Sequence, residues 1–353
     1  MAGSSVRRRV RAADVAAAAG VSTTAVSFVL NGRDAGNISP ATRQRVLDAA
    51  RDLGYRPNHV ARSLRRRSTS SIGLVTDAFA SSPFGGRLLA AATETANAAD
   101  HVLLMMDLRH RLDLLDDAIE TLELRQVDAL VYANMGFTIM ETAPRSRVPL
   151  VLANCTTDDP DELGVRPDDA GGARAALEHL AGLGHRRVAM LGGHFDPRRP
   201  FREAGNVSGP IRWEAFQTAA AERGVEVVHV GEGWDIADGV AAATQVLDVT
   251  PGQRPTAVFA VCDRVAVGAL LAAARLGLAV PRDLSVIGFD DQEALAECTV
   301  PALTTIALPH AEMGETAVRL ALAVTRGERP DPGRLLLPCP LVVRESTAPA
   351  QAC

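Results

Sequence analysis

Asp290 follows the apolar run SVIGF, Cys262 and Asp263 follow AVFAV, and Asn154 follows LVLA. Trp234 lies in the loop after VEVVHV, and Arg212 stands just before the helix-like WEAFQTAAAERG. These residue types suit a polyhydroxylated small molecule. A carboxylate accepts from two hydroxyls, a guanidinium donates in a fixed fork, and an aromatic face covers the apolar side of a sugar ring. Two structural readings stand beside that one. Arg212 and Asp290 can pair with each other or cap helices, and Asp263, which opens DRVAVGALLAAARLG, fits an N-cap.

Catalytic signatures are missing. There is no GxxxxGK(S/T) phosphate loop, no strand-linked GxGxxG and no GxSxG elbow, and Gly85-Gly86 and Gly192-Gly193 read as turns. The eight histidines show no HExxH spacing, and the five cysteines are scattered with no CxxC pair. The sequence therefore predicts no enzyme, no cofactor, no metal and no disulfide framework. No apolar run reaches the ~18–20 residues that cross a bilayer. The polar, Arg-rich start Met1–Arg11 lacks the apolar core of a secretion signal, so a cytoplasmic protein is expected.

The elements that must position these residues come in two series. Residues 71–76, 102–106, 129–132 and 150–153 are short apolar runs, and 188–191, 225–230, 257–261 and 285–289 repeat the pattern. Alanine- and leucine-rich helical stretches separate them. Continuous apolar strands alternating with helices predict parallel sheets covered on both faces, here as two α/β subdomains. Ligands sit beyond the carboxyl ends of such strands, which makes the cleft between the subdomains the expected site.

The amino-terminal 70 residues differ. They carry 13 arginines against four acids, whereas the remaining 283 carry 24 against 38. A head of +9 on a body of −14 predicts a module for a polyanion such as DNA. In AADVAAAAGVSTTAVSFVLN, Val15 and Ala19 share a helical face, Gly20 allows a sharp turn, and Ser22 can cap a second helix with Val26, Val29 and Leu30 inward. A third helix starts at Ser39-Pro40, buries Val46, Leu47, Ala50 and Leu53, and ends at Gly54. Three helices in about 45 residues fit a helix-turn-helix. The stretch His59–Leu64 is too short to be a stable helix by itself and could fold on binding.

The strings DVAAAAGVSTTAVSFVLNG and SPATRQRVLDAARDLGYRPNHVARSL closely resemble the head of LacI-type (LacI/GalR) transcriptional regulators. PDDAGGARAALEHLAGLGHRRVAMLGG, RPTAVFAVCDRVAVGALLAAARLGLAVPRDLSVIGFDD and PALTTI resemble the family's periplasmic-binding-protein-like core. The resemblance implies a helix-turn-helix domain over 1–56, a hinge helix and linker over 57–70, a two-subdomain core over 71–347 with crossovers near 165, 303 and 338, and a tail over 348–353. In the head it implies that Thr23, Thr24 and Ser27 face base edges, that Ser22 and Asn31 contact phosphates, that Asn58 opens the DNA-binding hinge, and that Leu64 wedges into the minor groove. Two positions depart. Phe28 stands where Arg is usual, and Ala25 where Thr is usual, so a different operator half-site is expected unless Phe28 packs on its own helix.

In the core the resemblance implies that Arg212, Trp234 and Asp290 touch an effector. Asn154 matches a position usually held by Asp, Cys262 one often Asn or Ser, and Phe84 an NPFF-like stretch, while His185 matches a structural position. The expected protein is a homodimeric, operator-binding regulator, a repressor, controlled by a carbohydrate effector. The alternatives are a regulator with a degenerate cleft controlled by a protein partner, and a solute-binding protein. The tail STAPAQAC shows no heptads that would make a tetramer.

Overall fold

The structure is a computed structural model that describes residues 10–30, 38–55, 68–79, 85–193, 205–331 and 333–351. It divides into two compact units, residues 1–69 and 70–353.

In the first unit, α1 (Ala12–Ala19) and α2 (Thr23–Leu30) meet at 102°. Gly20 makes that bend with φ +65°, a left-handed conformation that costs a glycine nothing. The Ser22 hydroxyl accepts from the Ala25 N–H at 3.1 Å and satisfies an orphan donor of α2. The third helix, α3 (Pro40–Asp52), begins with proline and is capped by Ser39, whose hydroxyl accepts from the Thr42 N–H at 3.2 Å. Val15, Ala16, Ala19, Val26, Val29, Val46, Ala49 and Ala50 form the core that holds the three together. Leu47 is half-buried beside it. Leu53, expected inside, is 38% exposed, because it stands at the C-terminal cap of α3, beyond the last inward-facing turn.

The second unit holds two six-stranded sheets. The first has the order β11-β5-β4-β3-β1-β2. Its strands are β1 (Ser71–Thr76), β2 (Val102–Asp107), β3 (Ala129–Ile139), β4 (Leu150–Thr156), β5 (Gly164–Pro167) and β11 (Arg334–Leu337). The second has the order β12-β10-β9-β8-β6-β7. It is built from β6 (Arg187–Leu191), β7 (Glu226–Val230), β8 (Ala257–Ala260), β9 (Ser285–Asp290), β10 (Thr304–Ala307) and β12 (Leu341–Val342). All strand pairs run parallel except β10 with β12. β1, β8 and β9 are buried along their length, as their unbroken apolar runs require. β2 is an edge strand and leaves Val102 and Met105 exposed.

Helices α4 (Gly85–Ala98) and α5 (Leu115–Leu124) serve the first sheet. Gly85-Gly86 opens α4 rather than forming a turn, with the Gly85 Cα against Phe79. Helices α6 (Asp169–Gly182), α7 (Ser208–Arg223), α8 (Ile236–Leu247) and α9 (Asp263–Arg275) cover the second sheet. The chain passes between sheets after Pro167, after Ala307 and after Leu337. The second passage follows 307 rather than 303, because Thr304–Ala307 still pairs with β9. There α10 (His310–Thr325) returns to the first sheet and buries Met313, Ala317, Val318 and Ala321 against it. Gly314 lets α10 touch the α4 backbone at Leu88, where a Cβ would collide.

Residues 346–350 are bound to this unit. The Ser285 hydroxyl donates to the Ala348 carbonyl at 3.1 Å, and the Ala350 N–H donates to the Leu183 carbonyl at 2.8 Å. Buried His185 sits between Thr256 at 2.9 Å and the Ser285 hydroxyl and Ala348 carbonyl at 3.1 Å. Burial lowers its pKa, so it acts as a neutral cross-brace. Among the described residues, no single helix is long and apolar enough to cross a membrane.

Candidate functional site

In the head, the face of α2 opposite Val26 and Val29 is open. Thr23, Thr24 and Phe28 are exposed on it, Ser27 is half-buried, and Ser22 is exposed at its start. Residues three and four apart share a face of a helix, so Thr23, Thr24, Ser27 and Phe28 form one surface. Phe28 is 39% exposed. Asn31, Asn58 and Leu64 lie outside the described residues, as do most of the hinge and Phe84.

In the core, a cavity of about 170 Å³ opens between the two sheets. Asn154, Arg212, Trp234 and Asp290 line it, with Met135, Gly136, Pro167, Asn206, Ser208, Leu308, His310 and Met313. Each wall is positioned by an element end. Asn154 lies near the C-terminal end of β4 with φ +54°, and Asp290 ends β9 with φ +111°. Non-glycine residues adopt such angles at a cost, most readily when they are Asn or Asp, and strained positions gather at functional sites. Arg212 lies inside α7, not before it, because the helix already starts at Ser208.

Arg212 is 2% exposed and organises the second-sheet wall. Its Nε donates to Asp169 Oδ1 at 2.7 Å, and one terminal nitrogen lies 2.7 Å from the same oxygen. The other donates to the Val261 carbonyl at 2.5 Å and stands 3.7 Å from Asp290 Oδ1. The guanidinium lies 3.6 Å from the Phe289 ring centroid and 5.9 Å from that of Trp234. Thus Arg212 does pair with Asp290, but Asp169 holds it more closely. Burial pushes the Asp290 carboxyl well above the ordinary range; Arg212 opposes this, while Asp263 and Asp169 add to it. His310, the first residue of α10, is lowered to about 4 by burial, with the charges of Arg87 and Arg212 acting the same way.

On the first-sheet wall, the Asn154 amide nitrogen donates to the carbonyls of Asn134 and Met135, each at 3.0 Å. Both carbonyls belong to an irregular stretch of β3, where the register with β4 shifts between Ala133 and Thr138. Trp234 is half-buried, and its backbone N–H donates to Asp238 Oδ2 at 3.1 Å.

Asp263 is placed differently. It is fully buried, is not part of the cavity lining, and accepts from the Thr305 hydroxyl at 2.5 Å and the Gln292 N–H at 2.7 Å. Nor is it an N-cap: Cys262 holds that position and Asp263 is the first residue of α9. Its carboxylate ties α9 to β10 and to the loop after β9. Cys262 is buried, its thiol 3.3 Å from the Trp234 carbonyl. Sequence reasoning missed Asp169, Asn134 and His310. Asp169 stands just past the end of β5 within PDDAGG, yet β5 is only four residues long and carries no strand pattern by itself. His310 carries no local signal, since its position depends on where the chain crosses between sheets.

Comparisons with known proteins agree across both units. A family model described as bacterial regulatory proteins, lacI family, matches residues 12–58, and one described as a periplasmic binding protein-like domain matches residues 177–347. The HTH-type transcriptional regulator DegA of Bacillus subtilis is 34% identical over 346 residues, covering 95% of this chain and 97% of that protein. The HTH-type transcriptional repressor CytR of Escherichia coli is 32% identical over 338 residues, covering 95% of each. The Lac repressor dimer, solved bound to operator and the anti-inducer ONPF, matches with TM-score 0.79 and 28% identity over 97% of this chain and 100% of that one. The transcriptional regulator CelR in complex with cellobiose matches with TM-score 0.64 and 28% identity, over 96% of this chain and 100% of that one. Because the likeness runs through the helical head and the two-sheet core together, this chain belongs to the LacI family of bacterial regulatory proteins.

Proposed function

We propose that this protein is a sequence-specific DNA-binding transcriptional regulator, a repressor, that acts as a homodimer in the cytoplasm and whose operator affinity is set by a small carbohydrate bound between the two sheets of its core. The observation that carries this reading is the open face of α2. Its polar and aromatic residues are presented outward by a helix whose apolar face is buried, on a unit of net positive charge. Two heads read two half-sites of a pseudo-palindrome, as the symmetry of a dimer demands. Residues 1–56 form the reading domain, 57–70 the hinge, and 71–347 the effector-binding and dimerising core. In the head, Ser22 and Asn31 hold phosphates. Thr23, Thr24, Ser27 and Phe28 face bases. Asn58 opens the hinge and Leu64 wedges into the duplex. In the core, Phe84, Asn154, Arg212, Trp234 and Asp290 meet the effector, while Asp263 acts behind the wall.

The relatives support this assignment. One solved neighbour binds an operator and another cellobiose. A cavity lined by carboxylate, amide, guanidinium and indole suits a hydroxylated ring. Coupling of ~1–3 kcal/mol between cavity and hinge changes operator occupancy about 5–150-fold. Selection of bound duplexes from a random pool tests the reading. A two-fold symmetric site is expected, with affinity well above that for bulk competitor at moderate ionic strength. Recovery of no preferred sequence overturns it.

A further inference from the structure

The orientation of the Asn154 amide is fixed. Its nitrogen gives one N–H to each of two backbone carbonyls, and the flipped amide would set oxygen against oxygen at 3.0 Å. Its oxygen is therefore the group left over. Asn154 Oδ1 is buried in the cavity wall without a hydrogen-bond partner, on a residue only 8% exposed. A buried acceptor without a donor is costly, and a bound molecule that supplies one recovers that cost.

The opposite wall has the same bias. Arg212 is the only arginine lining the cavity among the described residues, and its donors are engaged by Asp169 and the Val261 carbonyl, with Asp290 alongside. Asp169 Oδ2 is a second buried oxygen without a partner, behind the lining. Two carboxylates thus face one guanidinium, and His310 is neutral near pH 7. Among the described residues the lining offers acceptors and no uncommitted cation. An anionic group entering it loses its hydration without gaining a counter-charge, whereas a hydroxyl meets what it can donate to. At about 170 Å³ the cavity is small beside the ~300–1,000 Å³ typical of sites for drug-sized ligands.

We infer that the cavity takes a neutral, hydroxyl-rich molecule of about monosaccharide size and rejects its phosphorylated counterpart, with Asn154 reading a hydrogen-bond donor on that molecule. This rests on the reading of the cavity as the effector site.

Titration calorimetry on the full chain tests it, with D-ribose, D-glucose and D-galactose each measured beside its own terminal phosphate ester. At least one neutral sugar is expected to bind, and its phosphate about a hundredfold or more weakly. A phosphate ester that binds as tightly as its parent sugar overturns the inference and leaves the effector reading standing. Silence from all six compounds overturns the effector reading, and the inference with it. The variant Asn154→Gly keeps the left-handed backbone without strain and removes the acceptor. It should lose about tenfold in affinity for the bound sugar and keep one cooperative thermal transition, at a lower temperature because two carbonyls lose their donor. Unchanged affinity in that variant refutes the role of Asn154.

Discussion

The Phe137 carbonyl accepts from the Val207 N–H at 2.8 Å, joining the irregular stretch of β3 to the residue before α7 and so the first sheet to a helix of the second. Next to this bond, Gly136 lies against the Asn206 side chain, where a Cβ would stand 2.5 Å from Asn206 Cγ and 2.9 Å from its Cβ. The same stretch supplies the carbonyls that hold Asn154. Cavity wall and inter-sheet contact are one piece of backbone.

Gly136→Ala should therefore open this contact without distorting the local fold, since the Gly136 φ lies outside the left-handed region. Hydrogen exchange read at single amides is the measurement. Exchange at Val207 should rise about tenfold or more, while Val188 and Ala189 in the second sheet keep their protection. A uniform rise at all three would mean general destabilisation instead.

Asp169 and Asp290 should separate in mutation. Asp169→Ala strips Arg212 of its nearest counter-charge and leaves a buried guanidinium under-compensated, a loss of about 3–5 kcal/mol when a buried pair is broken. Asp290→Ala leaves the tighter Asp169–Arg212 pair in place and should cost less. Urea unfolding of the two variants, side by side, settles the order.

The contribution of Asp263 to stability should fall as pH rises from about 4 to about 7, while that of His310, lowered to about 4, changes in the opposite sense. Burial raises the Asp263 carboxyl from an ordinary 3.8 to about 7, against the Thr305 and Gln292 hydrogen bonds. The folded chain therefore holds a proton that the unfolded chain releases near pH 4. The stabilisation is complete below that pH and is lost as pH climbs through the folded value. The negative charge of Asp291 strengthens the shift and Arg344 weakens it. Asp263→Asn should remove this slope, worth on the order of a few kcal/mol, from melting curves taken across that window.

Phe28 should set the half-site. An arginine there can grip guanine O6 and N7, whereas the exposed phenyl ring can touch only apolar groups such as a thymine methyl. Selection with Phe28→Arg should recover duplexes with a guanine at one new position in each half-site. An identical preferred site would show that residue 28 does not read a base.

Local chemistry made the head legible. Ser22, Ser39, Pro40 and Gly20 are cap and turn signals whose meaning depends on neighbours three or four residues away, and each does in the structure what its type allows. The long apolar strands were legible for the same reason. Asn154, Arg212, Trp234 and Asp290 stand near ends of such elements, so their meeting around one cavity followed from where parallel strands end. Other features depend on partners far away in the chain. β5, β10, β11 and β12 are two to four residues long and exist because other strands offer them hydrogen bonds. Asp169 meets Arg212 across 43 residues, and Asp263 finds Thr305 across 42. Residue types alone told which groups could bind and where the helices of the head begin; which carboxylate holds the arginine, and which way an amide points, came from the folded chain. Burial and hydrogen-bond partnership are properties of the assembled chain, and a residue type carries the capacity for them without the address.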